Sequence, residues 1–267
     1  METGNPLDFT GRVALVTGGT KGIGAAIAGA FLGAGADVVV CGPQRASVAA
    51  CGRQPRGGVR PGRRPRPGGG VLAGGRRGGT FREARRTRQQ RGRLAGRRRG
   101  DRLAAFRGEG FVEKIVALSL LTPFYVAQAA HRVMRTQEGG GSVVNIGSVS
   151  AHTPQPGTAA YTAAKAGLLA LTKALALEWA PTVRVNHITT GLIRTESAAS
   201  VYRADGGAAV AGVIPMERMA VPEDVARACL FLASGLSGYV NGADLPVHGG
   251  GEFPARYLAA KAAGGPG

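Results

Sequence analysis

Three side chains in the second half of the chain have the types and spacing for proton chemistry. Tyr161 and Lys165 stand four residues apart in a stretch of helical spacing, so they share one face. A cation beside a phenol favours the phenolate. A phenol held that way can pass a proton to or from a carbonyl or hydroxyl oxygen. Ser148 lies thirteen residues before Tyr161, just past a strand end, where its hydroxyl can hold the same oxygen. Taken alone, Tyr-x3-Lys reads as a half-exposed tyrosine and a surface lysine. It gains weight from a second constellation upstream, Thr17-Gly18-x3-Gly22-x-Gly24. Glycines there let the backbone approach a pyrophosphate, and the helix that follows offers free N–H groups to it. The ordinary reading is a tight turn that needs positive φ. Its place between a strand and a helix favours the dinucleotide.

The elements that must position these residues alternate. Arg12 to Thr17 is a short apolar run suited to a buried parallel strand. Ala25 to Leu32 reads as a small-residue helix ended by Gly33 and Gly35. Asp37 to Cys41 is a second strand, which completes a βαβ unit. Further on come a long apolar helix over Val112–Met134 with Pro123 bending or starting part of it, a strand over Ser142–Ile146, and a helix over Tyr161–Trp179. A strand over Val183–Ile188, a helix over Pro222–Ala233 and a last short strand over Asp244–Val247 follow. The expected fold class is α/β, a Rossmann-type doubly wound parallel sheet in a single domain spanning residues 1–267.

Cofactor choice has two clues. The second strand ends in Cys41-Gly42, with no carboxylate to take a ribose 2′-hydroxyl. Lys21, inside the glycine-rich turn, can face a 2′-phosphate, although a solvated lysine is the plain alternative. Together they favour NADP, with NAD as the alternative. The three cysteines have no metal spacing, so no metal and a reduced cytoplasmic setting are expected. No apolar run reaches membrane-spanning length, so no membrane partner is expected.

Beyond these pieces the chain resembles the short-chain dehydrogenase/reductase family. The resemblance is carried by Thr17-Gly-Gly-Thr-Lys-Gly-Ile-Gly24, Asn145-Ile-Gly-Ser148, Tyr161-Thr-Ala-Ala-Lys165, Val183-Arg-Val-Asn186 and Pro222-Glu-Asp-Val225. It covers residues 7–42 and 111–255. It implies an NAD(P)-dependent oxidoreductase that moves hydride between an alcohol and a ketone, with Ser148, Tyr161 and Lys165 as catalytic residues. It implies cofactor contacts from Gly18, Thr20, Lys21, Gly22, Ile23, Gly24, Tyr161, Lys165, Gly191, Ile193 and Thr195. A small alcohol or carbonyl substrate and a homo-oligomer, dimer or tetramer, are expected with it. There are departures. Ser119 stands where the family commonly has a relay asparagine, Thr190-Gly191 replaces Pro-Gly, which predicts a looser loop, and His248 stands where Asp is common. The Asn-Asn-Ala-Gly motif of the adenosine half is absent, as is the Asp-Val after the third strand.

Both absences fall in residues 43–110, which depart from the rest in composition. That stretch holds twenty Arg, sixteen Gly and three acids, for a net charge of +17 in a chain of +18. Such a basic stretch suggests a nucleic-acid-binding arm, the alternative function. It is also expected to be irregular, since it carries little that can form a core. The genetic code offers another reading, translation in the wrong frame. Joining the last two bases of each codon to the first of the next, Phe81 to Gly96 permits Phe-Gly-Arg-Leu-Asp-Val-Leu-Val-Asn-Asn-Ala-Gly-Gly-Ser-Pro. The same shift from Val59 to Val71 permits Phe-Val-x-Ala-Asp-Val-Arg-Asp-Pro-Glu-Glu-Val. One shift thus restores both absent motifs in order. It predicts compensating frame changes near residue 43 and between about 105 and 112, and it makes nucleic acid an unneeded partner.

Overall fold

The computed structural model describes residues 5–41, 47–49, 109–196, 207–254 and 258. The first βαβ unit forms as its sequence predicts. Strand β1 is Val13–Thr17, helix α1 is Gly22–Gly33 and strand β2 is Asp37–Cys41. β1 and β2 pair in parallel, Val13 opposite Asp37 through Thr17 opposite Cys41. A short strand β3, Ser47–Ala49, adds to β2 in antiparallel register. Residues 47–49 are thus regular where the stretch 43–110 was expected to be irregular. Three residues of a Ser-Val-Ala run are enough to pair with the free side of an apolar strand. The rest of that stretch up to residue 108 lies outside the described residues.

The second half is larger. Helix α2 (Glu109–Val116) passes through a π-turn at Ala117–Leu121 into helix α3 (Thr122–Met134), with Pro123 directly after the π-turn, where the regular helical hydrogen-bond ladder is already interrupted. Strand β4 is Gly141–Ile146, a 3₁₀ turn spans Val149–Ala151, and helix α4 is Ala159–Trp179. Strand β5 is Val183–Thr190, a one-turn helix α5 is Ala208–Ala211, helix α6 is Pro222–Ala233 and strand β6 is Asp244–Val247. β4, β5 and β6 form a parallel sheet with β5 in the centre. Thus the described strands make two three-stranded sheets, β1-β2-β3 and β4-β5-β6.

α1 and α6 pack on one another and cover both sheets. One apolar cluster takes Val16, Val38 and Val40 from the first sheet, Ile188 from the second, and Ile27, Phe31, Val225 and Leu232 from the helices. A second cluster, around Leu175, Trp179, Val183 and Val185, lies under α3 and α4. His131 of α3 stacks on Trp179 of α4 at 4.2 Å between ring centroids. The helical stretch Gly110–Met134 is 25 residues long and apolar enough to cross a membrane by length and composition, although polar residues interrupt its apolar run. One side of it packs beside α4, while little of its apolar surface is buried and Leu118, Leu121 and Tyr125 stay exposed.

Candidate active site

The carboxyl ends of β1, β4 and β5 carry the residues singled out by their chemistry. α1 begins directly after the glycine-rich turn. Lys21 occupies its N-cap position, and no side chain caps the helix there. The first turn of α1 carries no acid, so its N–H groups and dipole are available to an anion. Two glycines shape the turn by conformation, Gly18 at φ +68° and Gly22 at φ +50°. Gly24 is required by space instead. A Cβ there would lie within 3.0 Å of the Gly18 carbonyl and of Gly19. Thr195, far along the chain, lies against the same turn, its Cγ2 3.5 Å from where a Gly22 side chain would begin. Ile193 is buried and bridges to Ala220, which holds the segment between. A pyrophosphate-sized anion fits this cradle of bare helix N-terminus and side-chain-free backbone, and Thr20 and Ile23 flank it in sequence.

Ser148 and the Lys165 ammonium lie at the end of β4, with the Tyr161 ring beside Lys165. Ser148 follows that strand by two residues, is buried, and accepts a hydrogen bond from the Ser150 N–H at 3.2 Å. Lys165, on α4, reaches back to donate from Nζ to the Ile146 carbonyl at 2.7 Å. Its ammonium also sits 5.7 Å from the centroid of the Tyr161 ring. Burial pushes the Lys165 ammonium down to about 8. So β4 and the first two turns of α4 bring a serine, a tyrosine and a partly desolvated lysine to one edge. The spacing of four made the Tyr–Lys pair visible in the sequence; only the fold ties it to Ile146.

Several neighbours were not foreseen. Thr190 is buried and donates from Oγ1 to the Gly147 carbonyl at 2.8 Å. The substitution of Pro-Gly by Thr190-Gly191 therefore ties the ends of β4 and β5 together, contrary to the expected loosening. Gly191 itself packs on His248, whose Cβ lies 2.7 Å from where a Gly191 side chain would start. Behind this edge stands a polar cluster centred on Asp244. His187 Nδ1 is 2.7 Å from one carboxylate oxygen, His152 Nε2 is 2.9 Å from the other, and Thr189 donates to both. His187 is 0% exposed, and burial lowers its pKa, so the ring is neutral. Burial opposes ionisation of Asp244, but the bonds from His187, Thr189 and His152 outweigh it and hold the carboxyl below its ordinary value. A Cβ at Gly147 would collide with the His187 ring, so Gly147 is needed there for space. No local signal marks this cluster, because its members come from three separate elements.

The Val183-Arg-Val-Asn186 motif proves to be a latch. Arg184 donates to the carbonyls of Val240, Leu232 and Ser234, and Asn186 bonds both Val240 and Ala243. Asn145 donates to Thr172 of α4 at 2.9 Å, which fixes β4 against that helix. Ser119 falls in the π-turn, beside Leu120, which touches Gly167 of α4.

The family model described as short chain dehydrogenase matches residues 12–58, and that described as enoyl-(acyl carrier protein) reductase matches residues 95–252. Residues 59–94 lie in neither match. The chain is 32% identical over 249 residues to a 3-oxoacyl-(acyl-carrier-protein) reductase of Chlamydia pneumoniae, covering 91% of this chain and 98% of that one. It is 42% identical over 141 residues to an uncharacterized short-chain type dehydrogenase/reductase of Sinorhizobium fredii, covering 52% of this chain and 55% of that protein. It therefore spans about half the length of some curated relatives and nearly all of others. Among solved structures, one from Agrobacterium tumefaciens with bound NADP superposes with a TM-score of 0.68 at 28% identity, covering 92% of this chain and 98% of that one. A short-chain type dehydrogenase/reductase from Mycobacterium marinum gives 0.66 at 26% identity, covering 93% and 98%. A glycine-lined helix start, a Ser–Tyr–Lys edge and matches on both sides of the Arg/Gly stretch agree: the chain belongs to the short-chain dehydrogenase/reductase family of NAD(P)-dependent oxidoreductases.

Proposed function

We propose that the chain interconverts an alcohol and a ketone with NADP(H) as the preferred cofactor, Tyr161 serving as general acid/base. The observation that carries this is the Lys165 ammonium, anchored on the Ile146 carbonyl beside the Tyr161 ring, at the strand end that also holds Ser148. Ser148 orients the substrate oxygen through its hydroxyl. Tyr161 exchanges a proton with that oxygen, and Lys165 favours the anionic state of the phenol. The α1 N-terminus with Gly18, Thr20, Lys21, Gly22, Ile23 and Gly24 would hold the pyrophosphate side of the cofactor. Tyr161, Lys165, Gly191, Ile193 and Thr195 would hold its nicotinamide side. When bound, the nicotinamide supplies the hydride acceptor or donor.

The relatives carry names as different as 3-oxoacyl-(acyl-carrier-protein) reductase, 3alpha-hydroxysteroid dehydrogenase and D-threitol dehydrogenase. Each name supports hydroxyl/carbonyl chemistry here, and none selects a substrate. We assign the whole chain to one domain in the cytoplasm. Homo-oligomerisation through the α2–α3 and α4 surface is supported by the exposed apolar side chains Leu118, Leu121, Tyr125 and Leu177. No nucleic-acid partner is needed once the charge of residues 43–110 is read as a frame effect. The test is NADPH-dependent reduction of a panel of 3-oxo esters, oxosteroids and sugar-derived ketones. Tyr161→Phe should lower kcat about 10²- to 10⁴-fold. Equal rates in the variant and the parent would overturn the assignment.

A further inference from the structure

His187 lies within β5 with no exposure, in register with Asn145 of β4 and Asp244 of β6. Its neighbours on both sides are thus described residues. Register partners in adjacent strands point to the same face. Asn145 uses that face to reach Thr172 of α4, so His187 also faces α4. Lys165 precedes Thr172 by about two turns of the same helix, which puts both on one side of it.

The His187 ring has one nitrogen in use and one spare. Nδ1 is 2.7 Å from Asp244 Oδ1. A carboxylate only accepts, so Nδ1 carries the proton and Nε2 presents a bare lone pair. Burial keeps the ring neutral. Nε2 is buried and has no hydrogen-bond partner among the described residues. A buried acceptor without a partner is costly, and an ordered water commonly supplies one. The place of this nitrogen is specific. A Cβ on Gly147 would run into Nε2 and Cε1, so the ring edge abuts the Gly147 Cα. That Cα and the Ile146 carbonyl belong to one planar peptide unit. Lys165 Nζ donates to this carbonyl at 2.7 Å. An ammonium has three N–H groups, and among the described residues Ile146 alone accepts from this one. A spare acceptor and spare donors therefore approach the same peptide unit without touching.

We propose that one water joins Lys165 Nζ to His187 Nε2, and that the Asp244–His187 pair positions the lysine through it. The water accepts from the ammonium and donates to the bare nitrogen, which satisfies both. Asp244 fixes the tautomer that makes Nε2 an acceptor, and Thr189 and His152 hold Asp244 in turn. An acceptor for the ammonium favours its charged form, against the burial that disfavours it. The charged and titratable groups that act on His187 are Asp244, Lys165 and His152, and the Tyr161 ring stands beside Lys165. The oxidoreductase reading is needed only for what Lys165 does, not for the water site.

The experiment exploits two amides. His187→Asn keeps a donor near the Nδ1 position for Asp244 and loses the acceptor at Nε2. His187→Gln loses the first and places an amide oxygen near Nε2. Lys165 is titrated directly by carbon NMR of the labelled side chain, and ketone reduction is followed against pH in parallel. His187→Asn should lower the Lys165 titration and the alkaline decline of the rate by about one unit. His187→Gln should restore both. An unchanged Asn variant, or a Gln variant shifted as far as Asn, would overturn the proposal, since a merely structural tie to Asp244 predicts damage in Gln and none in Asn. If neither variant folds, nitrogen NMR of the parent decides. A ring protonated on Nδ1, whose Nε2 signal moves as Lys165 titrates, supports the water site. A proton on Nε2, or a signal blind to Lys165, overturns it. Shifted Lys165 titration together with full ketone reduction by Tyr161→Phe would sink the catalytic assignment and leave the water site intact.

Discussion

The two half-sheets are built from similar sequence and end in different surroundings. Val13-Ala-Leu-Val16 and Val183-Arg-Val-Asn186 are both short β-branched runs that pair in parallel. β5 has a strand on each side, helices on both faces and the Arg184–Asn186 latch to close its far end. Among the described residues β1 pairs with β2 alone, and it exposes Val13. β5 is thus a central strand, whereas β1, like β4 in the other half, lies at an edge of the described sheet. A strand's burial is decided by its neighbours as much as by its residues.

The sharpest contrast is chemical. Tyr161→Phe should remove about 10²- to 10⁴-fold of the carbonyl-reduction rate and leave the melting temperature unchanged, as differential scanning calorimetry would show. Packing comes next. Leu168 of α4 is 1% exposed, so Leu168→Ala should cost about 2–5 kcal/mol in urea unfolding. Leu15→Ala in half-buried β1 should cost about 1 kcal/mol. Equal costs would erase the distinction between the halves.

A smaller effect follows from Lys165. Its ammonium falls to about 8 because burial disfavours charge. Ketone reduction should therefore decline above pH 8 as the cation beside Tyr161 is lost, by about tenfold per unit once the group is neutral. Lys165→Arg, which keeps its charge, should move that decline upward. Stability has the opposite sign. Between about 8 and the ordinary lysine value the unfolded chain binds more protons than the folded one, so stability should rise with pH across that window.

The smallest effect lies at the α6 start. Asp224 accepts from the Val221 N–H at 2.9 Å and pairs with Arg218 and Arg227. The Arg218 hydrogen bond is the main reason its carboxyl is held below the usual range. Asp224→Asn should cost about 1 kcal/mol at neutral pH. That contribution is present above the ordinary carboxyl value and fades as pH falls through the lowered one, which acid titration of the melting temperature would show.

Local signals carried most of the elements. β2 and β6 stand on the residues their apolar runs mark, Asp37–Cys41 and Asp244–Val247, because short buried strands bounded by turns have few ways to shift. α1 starts at Gly22, three residues before the apolar run suggests, because the glycine-rich turn itself enters the first helical turn. β5 runs two residues past Ile188, since Thr189 and Thr190 pair with β6 through contacts no local pattern encodes. β3 was not legible at all, being a strand made by its neighbour.

The residue types and spacing by themselves determined the α/β class, the glycine-lined helix start and the Tyr161–Lys165 pair. Each is a property of neighbours in sequence: alternation of elements, backbone freedom at glycine and a helical repeat. Only the tertiary structure decided that Lys165 is held by Ile146, that Thr190 ties β4 to β5, and that buried His187 and exposed His152 meet on Asp244. Only it placed β5 between β4 and β6. Those facts depend on residues tens of positions apart meeting in a low-dielectric interior. There, burial sets charge.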